Sequence, residues 1–267
     1  MLKTRIITAA ILIGLLLVIL FWLPPVATTI ALTAAVLAGA WEWSAFVRLR
    51  TVPGRLLYVF AVAACLLALG QLTLAQPACL LVLIVALAWW IAALLWVVFA
   101  PRRAAGWSAA AAGILALVPA WVAMVRLRID VPHGAQWLLY ALCLVWAADI
   151  GAYAAGRSFG RTKLAPQVSP GKTWEGVFGG LVLAALVALG GSQWFAVPML
   201  QFVPLCLGVV AFSIVGDLTE SLLKRFAGLK DSGTLFPGHG GVMDRIDSLT
   251  SAMPVLLLGL MLLGVAR

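Results

Sequence analysis

Stretches of eighteen or more apolar residues recur along the whole 267-residue chain, and a chain built that way has few ways to fold. Each stretch is long enough to cross the hydrocarbon core of a bilayer as a helix, which needs about 20 residues. Inside lipid no water satisfies the backbone, so only helices and closed barrels can span. A barrel would show segments of about 10 residues with alternating polarity, and this sequence has none. Charged residues make up 10% of the chain, against about 25% in soluble domains. The fold class is therefore an all-α polytopic membrane protein.

The apolar runs place about nine spans near residues 6–23, 26–46, 56–75, 78–99, 108–125, 136–156, 174–194, 198–224 and 244–265. The breaks at 75–78 and 194–200 allow one span more or fewer. The first run follows Lys3 and Arg5 as a secretory signal would, but it is longer than the 7–15 residues of a signal core. It reads as a span. The chain forms a single transmembrane domain, 1–267, with an N-terminal helical part (1–140) and a part (141–267) that carries two polar loops.

Orientation follows from the cations. With the N-terminus in the cytoplasm, fifteen of the eighteen basic residues lie on the cytoplasmic side, and Arg126, Arg128 and Arg267 lie outside. The positive-inside rule selects that arrangement. Both polar loops then face the cytoplasm at headgroup depth, as expected of a protein in a bacterial inner (plasma) membrane. The net charge of +9 is explained first by topology. Basic residues sit singly or in pairs between spans rather than along one face, which argues against nucleic acid as a partner. Cys65, Cys79, Cys143 and Cys206 lie in apolar surroundings without a CxxC and read as small core residues. Glu42, between Trp41 and Trp43, reads as a glutamate reaching for the interface.

Chemistry concentrates late in the chain. Of nine acidic residues, Glu175, Asp217, Glu220, Asp231, Asp244 and Asp247 fall in or just before residues 216–248. Ionisable groups at a membrane are costly, so such a cluster is a functional-site hypothesis by default. Asp217, Glu220 and Lys224 follow i, i+3, i+7 and share one helix face, with Ser221 and Arg225 beside it. Asp244 and Asp247 repeat the i, i+3 spacing where the last helix begins. Two helix ends thus offer carboxylates to one point, and hard oxygen ligands in that number suit Mg²⁺ shared with substrate phosphates. Between them, PGHGG (237–241) is a glycine hairpin whose amides can approach an anion. Neutralising ion pairs, Asp217 with Lys224 and Asp244 with Lys230, are the blander account. The earlier loop holds Ser169, Lys172 and Thr173 in SPGKT. A phosphate-cradling P-loop needs a glycine five residues before Gly171, where Pro166 stands. A Gly-Lys-Thr turn opening a helix can still grip phosphate through N-terminal amides and lysine.

The run SLLKRFAGLKDSGTLFPGHGGVMDRID resembles the signature of the integral-membrane phosphatidate cytidylyltransferases (CDP-diacylglycerol synthases). Ser221, Lys224-Arg225, Lys230-Asp231, His239-Gly240-Gly241, and Asp244-Arg245 with Asp247 carry it. Upstream, Asp149, Tyr153, Gly156-Arg157, Lys163-Leu164, SPGKT and Glu175-Gly176 extend it to roughly residues 146–250. The resemblance implies that CTP and phosphatidate react to give CDP-diacylglycerol and pyrophosphate, with a divalent metal and K⁺ as a second ion. It implies catalytic roles for Asp217, Asp244, Lys224 and Arg245, with Asp217, Asp244 and Asp247 as metal ligands. Lys172, Arg225 and Lys230 would neutralise phosphates, and Ser169 and Thr173 would donate hydrogen bonds. Glu175, Glu220, Ser221, Asp231 and His239 complete the substrate-binding set. A homodimer stays open.

The residues are consistent with this chemistry, because two anions must meet and cations must offset their repulsion. Three other readings compete. An ion-coupled lipid transporter would carry charges deep in several spans, whereas here they gather at one edge. A CTP-dependent kinase of a lipid alcohol would need a similar pocket. An enzyme using CDP-alcohols as donors would carry a DGxxAR run, which is absent.

Overall fold

A computed structural model describes residues 2–73, 75–235 and 240–266, with side chains from residue 7 onward. Among the described residues nine helices follow in order: α1 (Leu2–Phe21), α2 (Pro25–Phe46), α3 (Val52–Leu72), α4 (Gln76–Phe99), α5 (Gly106–Asp130), α6 (Gly134–Phe159), α7 (Trp174–Trp194), α8 (Met199–Ala227) and α9 (Met243–Leu262). The helices α2 to α9 are long and apolar enough to cross a membrane, and the apolar part of α1 is the shorter Ile7–Phe21. The all-α polytopic architecture holds. Several helices start where proline supplies a ready N-terminal φ: Pro25 in α2, and prolines in the first turns of α3 and α4.

One polar loop has structure of its own. Strand β1 (Lys163–Ala165) pairs antiparallel with β2 (Ser169–Thr173), and Lys163 lies opposite Thr173. The SPGKT run is therefore a strand of a small hairpin rather than a helix-opening turn, and only its last residue caps α7. Thr173 Oγ1 accepts from Gly176 N at 3.1 Å.

Helix α5 forms the centre of the bundle and is buried along most of its length. Lipid-facing positions elsewhere carry large exposed apolar side chains such as Leu57, Phe60, Leu81 and Leu200. Where polar ends must meet, small residues let backbones approach. A Cβ on Gly151 of α6 would stand 2.4 Å from Gly179 O of α7, and one on Gly180 would stand 2.8 Å from Ala148 O. Helices α8 and α9 close up the same way. A Cβ on Gly216 would meet Asp247 O at 2.7 Å, and Ser251 Oγ donates to Phe212 O at 2.6 Å. These contacts bring the hairpin, the C-terminal end of α8 and the start of α9 to one edge.

Candidate active site

The hairpin delivers Lys172 onto α8. Its Nζ lies 2.5 Å from Asp217 Oδ2, while Ser221, one turn on, donates to Asp217 Oδ1 at 3.3 Å. Lys224, two turns along the same face, bridges two helices: its Nζ lies 2.7 Å from Glu220 Oε2 and 2.8 Å from Asp244 Oδ1. The pairings differ from the simple neutralising pairs considered above. Asp217 takes its cation from the hairpin and Lys224 takes Asp244, because the helix crossing decides which side chains meet.

Backbone amides from the α8–α9 connection hold Asp244 as well. Gly241 N donates at 2.8 Å and Ser232 N at 3.0 Å to Oδ2. Asp247, one turn further on, lies in electrostatic range of Asp217, Glu220 and Lys224, and its Oδ1 accepts from Ser248 N at 2.7 Å. The expected face of Asp217, Glu220, Ser221 and Lys224 and the expected convergence with Asp244 and Asp247 are both present.

Glu175 holds the hairpin, accepting from Thr162 N at 3.0 Å. Arg225, Lys230 and Asp231 are exposed, as is Arg245 at the first turn of α9. Ser169 is half-buried in β2. His239 and most of the PGHGG run lie outside the described residues.

Two site neighbours were not assigned from sequence. Asp149 of α6 lies in electrostatic range of Asp217, Lys172 and Arg245 and lines the cavity beside them. Its signals were its place in the run that carries the family resemblance and its being the one acid in its helix. Glu42 is the second, and here the interfacial reading is corrected. Its side chain is buried and hydrogen-bonded to the α8–α9 connection. A lone glutamate between tryptophans carries no local pattern that separates these two states.

A cavity of about 360 Å³ adjoins the Lys172–Asp217 pair. Arg157, Lys172, Asp149, Thr173 and Ser213 bring charged and polar groups to its wall, and Ala148, Gly180 and Val210 are among its apolar lining. Among the described residues no group of three histidine, cysteine, aspartate or glutamate side chains forms a ready metal cage. The donor set nevertheless fits a hard cation. Glu220 is 1% exposed, and no hydrogen bond of good geometry reaches either of its oxygens. Beyond its ion pair with Lys224, a buried carboxylate beside Asp217, Asp244 and Asp247 gives a set of hard oxygen donors that suits Mg²⁺, which takes one or two carboxylates and fills its shell with water and substrate phosphates.

Fold and site together define an integral membrane protein that places a charged reaction site at one edge of its bundle, beside a cavity lined by both charged and apolar residues. The chain belongs to the cytidylyltransferase family, which it matches over residues 3–263. It is 43% identical over 262 residues to a phosphatidate cytidylyltransferase of Pseudomonas aeruginosa, covering 96% of this chain and 95% of that one. A protein of the same name from Haemophilus influenzae is 41% identical over 283 residues, covering 95% and 96%. Another from Brucella suis is 38% identical over 268 residues, covering 96% and 92%.

Proposed function

We infer that this enzyme transfers the cytidylyl group of CTP to phosphatidate, leaving CDP-diacylglycerol and releasing pyrophosphate, in phospholipid biosynthesis. Family membership with near full-length relatives of that name supports the reaction. The structural observation that carries it is the cavity of mixed charged and apolar lining beside Lys172 and Asp217. A lipid with an anionic head and apolar tails fits a pocket that Lys172 and Arg157 make cationic and that apolar residues also line.

The transfer forms one P–O bond and breaks another. A phosphatidate oxygen attacks the α-phosphorus of CTP, and the bond to the β-phosphate bridging oxygen breaks, with its electron pair leaving on pyrophosphate. The attacking phosphate is already ionised at neutral pH, so no strong base is needed. Positioning and charge compensation do most of the catalysis. Lys172 and Lys224 leave their carboxylates to meet phosphate oxygens, with Arg245, Arg225 and Lys230 adding positive charge nearby. Ser221, Ser169 and Thr173 supply hydroxyls. Asp217 and Asp244, with Asp247 close by, would hold Mg²⁺, which when bound supplies the charge that lets two polyanions approach. K⁺ is the proposed second ion.

The site faces the cytoplasm in this reading, where CTP is available, and the bilayer is a bacterial inner membrane. The basic-residue asymmetry supports that orientation. Both lysines and all four carboxylates come from one chain, so a homodimer would assemble complete sites.

The test uses purified protein, phosphatidate, Mg²⁺ and CTP labelled at either the α- or the γ-phosphate. Cytidylyl transfer puts the α-label into the lipid and the γ-label into pyrophosphate. Lipid acquiring the γ-label instead would make the protein a lipid kinase and overturn the assignment.

A further inference from the structure

Helix α2 belongs to the part of the chain that carries neither polar motif, yet its C-terminal end reaches into the site. Glu42 Oε2 accepts from Ser232 Oγ at 2.9 Å and from Met243 N at 2.8 Å, and Oε1 accepts from Val242 N at 3.0 Å. Val242 is the N-cap of α9 and Met243 its first residue, where unpaired amides and the positive end of the helix dipole attract an anion. No side chain of the α9 N-cap residue does this locally. The cap comes instead from 200 residues away in sequence.

The connection is shaped around that carboxylate. A Cβ on Gly233 would stand 2.4 Å from Glu42 Oε1, and one on Gly241 would stand 2.3 Å from Glu42 Oε2. Ser232 passes the contact on: its Oγ accepts from Asp244 N at 3.2 Å, and its own N–H donates to Asp244. Glu42 is itself held firmly. The adjacent Trp43 is 1% exposed and donates from Nε1 to Ala109 O of α5 at 2.8 Å. Just past the end of α2, Arg48 donates to Phe226 O at the end of α8, with its guanidinium 4.0 Å from the Phe226 ring centre. The end of α2 thus grips both the end of α8 and the start of α9.

We propose that Glu42 is a positioning residue of the transfer reaction: through Ser232 and the first amides of α9 it fixes where Asp244 stands against Lys224. It touches no substrate. Its removal should misplace Asp244 by a fraction of a helix turn, and misplacements near 1 Å cost on the order of 100-fold in rate.

The experiment measures Glu42→Gln and Ser232→Ala in detergent or nanodiscs. Steady-state kinetics are referred to folded protein, with thermal unfolding and amide hydrogen exchange run alongside. Glu42→Gln should lower kcat by about 10- to 100-fold and raise exchange at residues 242–244 while α6 and α7 stay protected. Ser232→Ala should lower kcat by a smaller factor in the same sense. The double variant should be little slower than Glu42→Gln alone, because both changes break one relay. A Glu42→Gln protein that keeps the parent kcat per folded molecule, or multiplies its loss with that of Ser232→Ala, overturns the proposal. If Glu42→Gln does not fold, Ser232→Ala decides. A lowered kcat with unchanged unfolding temperature upholds the relay, and a parental kcat refutes it.

Discussion

Lys224 stands between two carboxylates, and replacing it with methionine separates what it does for the fold from what it does for the reaction. Its Nζ is 2.7 Å from Glu220 and 2.8 Å from Asp244. Without the ammonium, Asp244 keeps its bonds from Gly241 N and Ser232 N. Glu220 keeps nothing comparable, since its side chain is 1% exposed and no donor besides the Lys224 ammonium is within reach of its oxygens. Breaking a buried pair by removing one partner costs about 3–5 kcal/mol. The lower end applies here, at about 3 kcal/mol, because the Lys224 side chain is 13% exposed at the bundle edge. For a chain of this size that corresponds to a fall of about 6–12 °C in Tm. Adding Glu220→Gln removes the stranded charge, so Glu220→Gln/Lys224→Met should return to within about 1 kcal/mol of the parent. Turnover should stay at least about 100-fold down in both variants, since neither carries the phosphate-neutralising ammonium. Tryptophan fluorescence melts in detergent with a chelator present read the stability, and labelled CTP reads the activity. A Lys224→Met protein that melts within 2 °C of the parent (about 1 kcal/mol at most), or a double variant that melts as low as the single, would refute the dependence of Glu220 on Lys224.

Asp217→Asn and Asp244→Asn keep shape but lose the charge a hard cation needs, so each should abolish Mg²⁺-dependent turnover, with the double variant little worse; most of the activity surviving in both singles would place the metal elsewhere. Lys172→Ala should raise KM for CTP more than it lowers kcat, because it removes a contact made before and during the transfer; unchanged kinetics would leave the hairpin lysine a structural partner of Asp217. A cysteine at Thr162 or Thr234 should react with an impermeant thiol reagent only after the inner membrane face is opened, and labelling in intact cells would reverse the orientation.

What the sequence determined by itself is whatever a single helix can express. Long apolar runs announce spans because a helix in lipid must be apolar over about 20 residues. Asp217, Glu220 and Lys224 share a face because 3.6 residues make a turn, whatever packs against it. The spacing of Asp244 and Asp247 and the gathering of acids near one edge were legible for the same reason. The tertiary structure decided the pairings. Lys172 reaches Asp217 because the SPGKT run folds back as a strand, and no helical period encodes that. Lys224 meets Asp244 because glycines such as Gly216 let α8 and α9 cross closely. Glu42 caps α9 across 200 residues, and Asp149 joins the site from a third helix. A buried carboxylate needs donors, and its own neighbours, Trp41 and Trp43, offer no sign of where those donors are. They become visible only when the crossing of the helices brings distant amides to it.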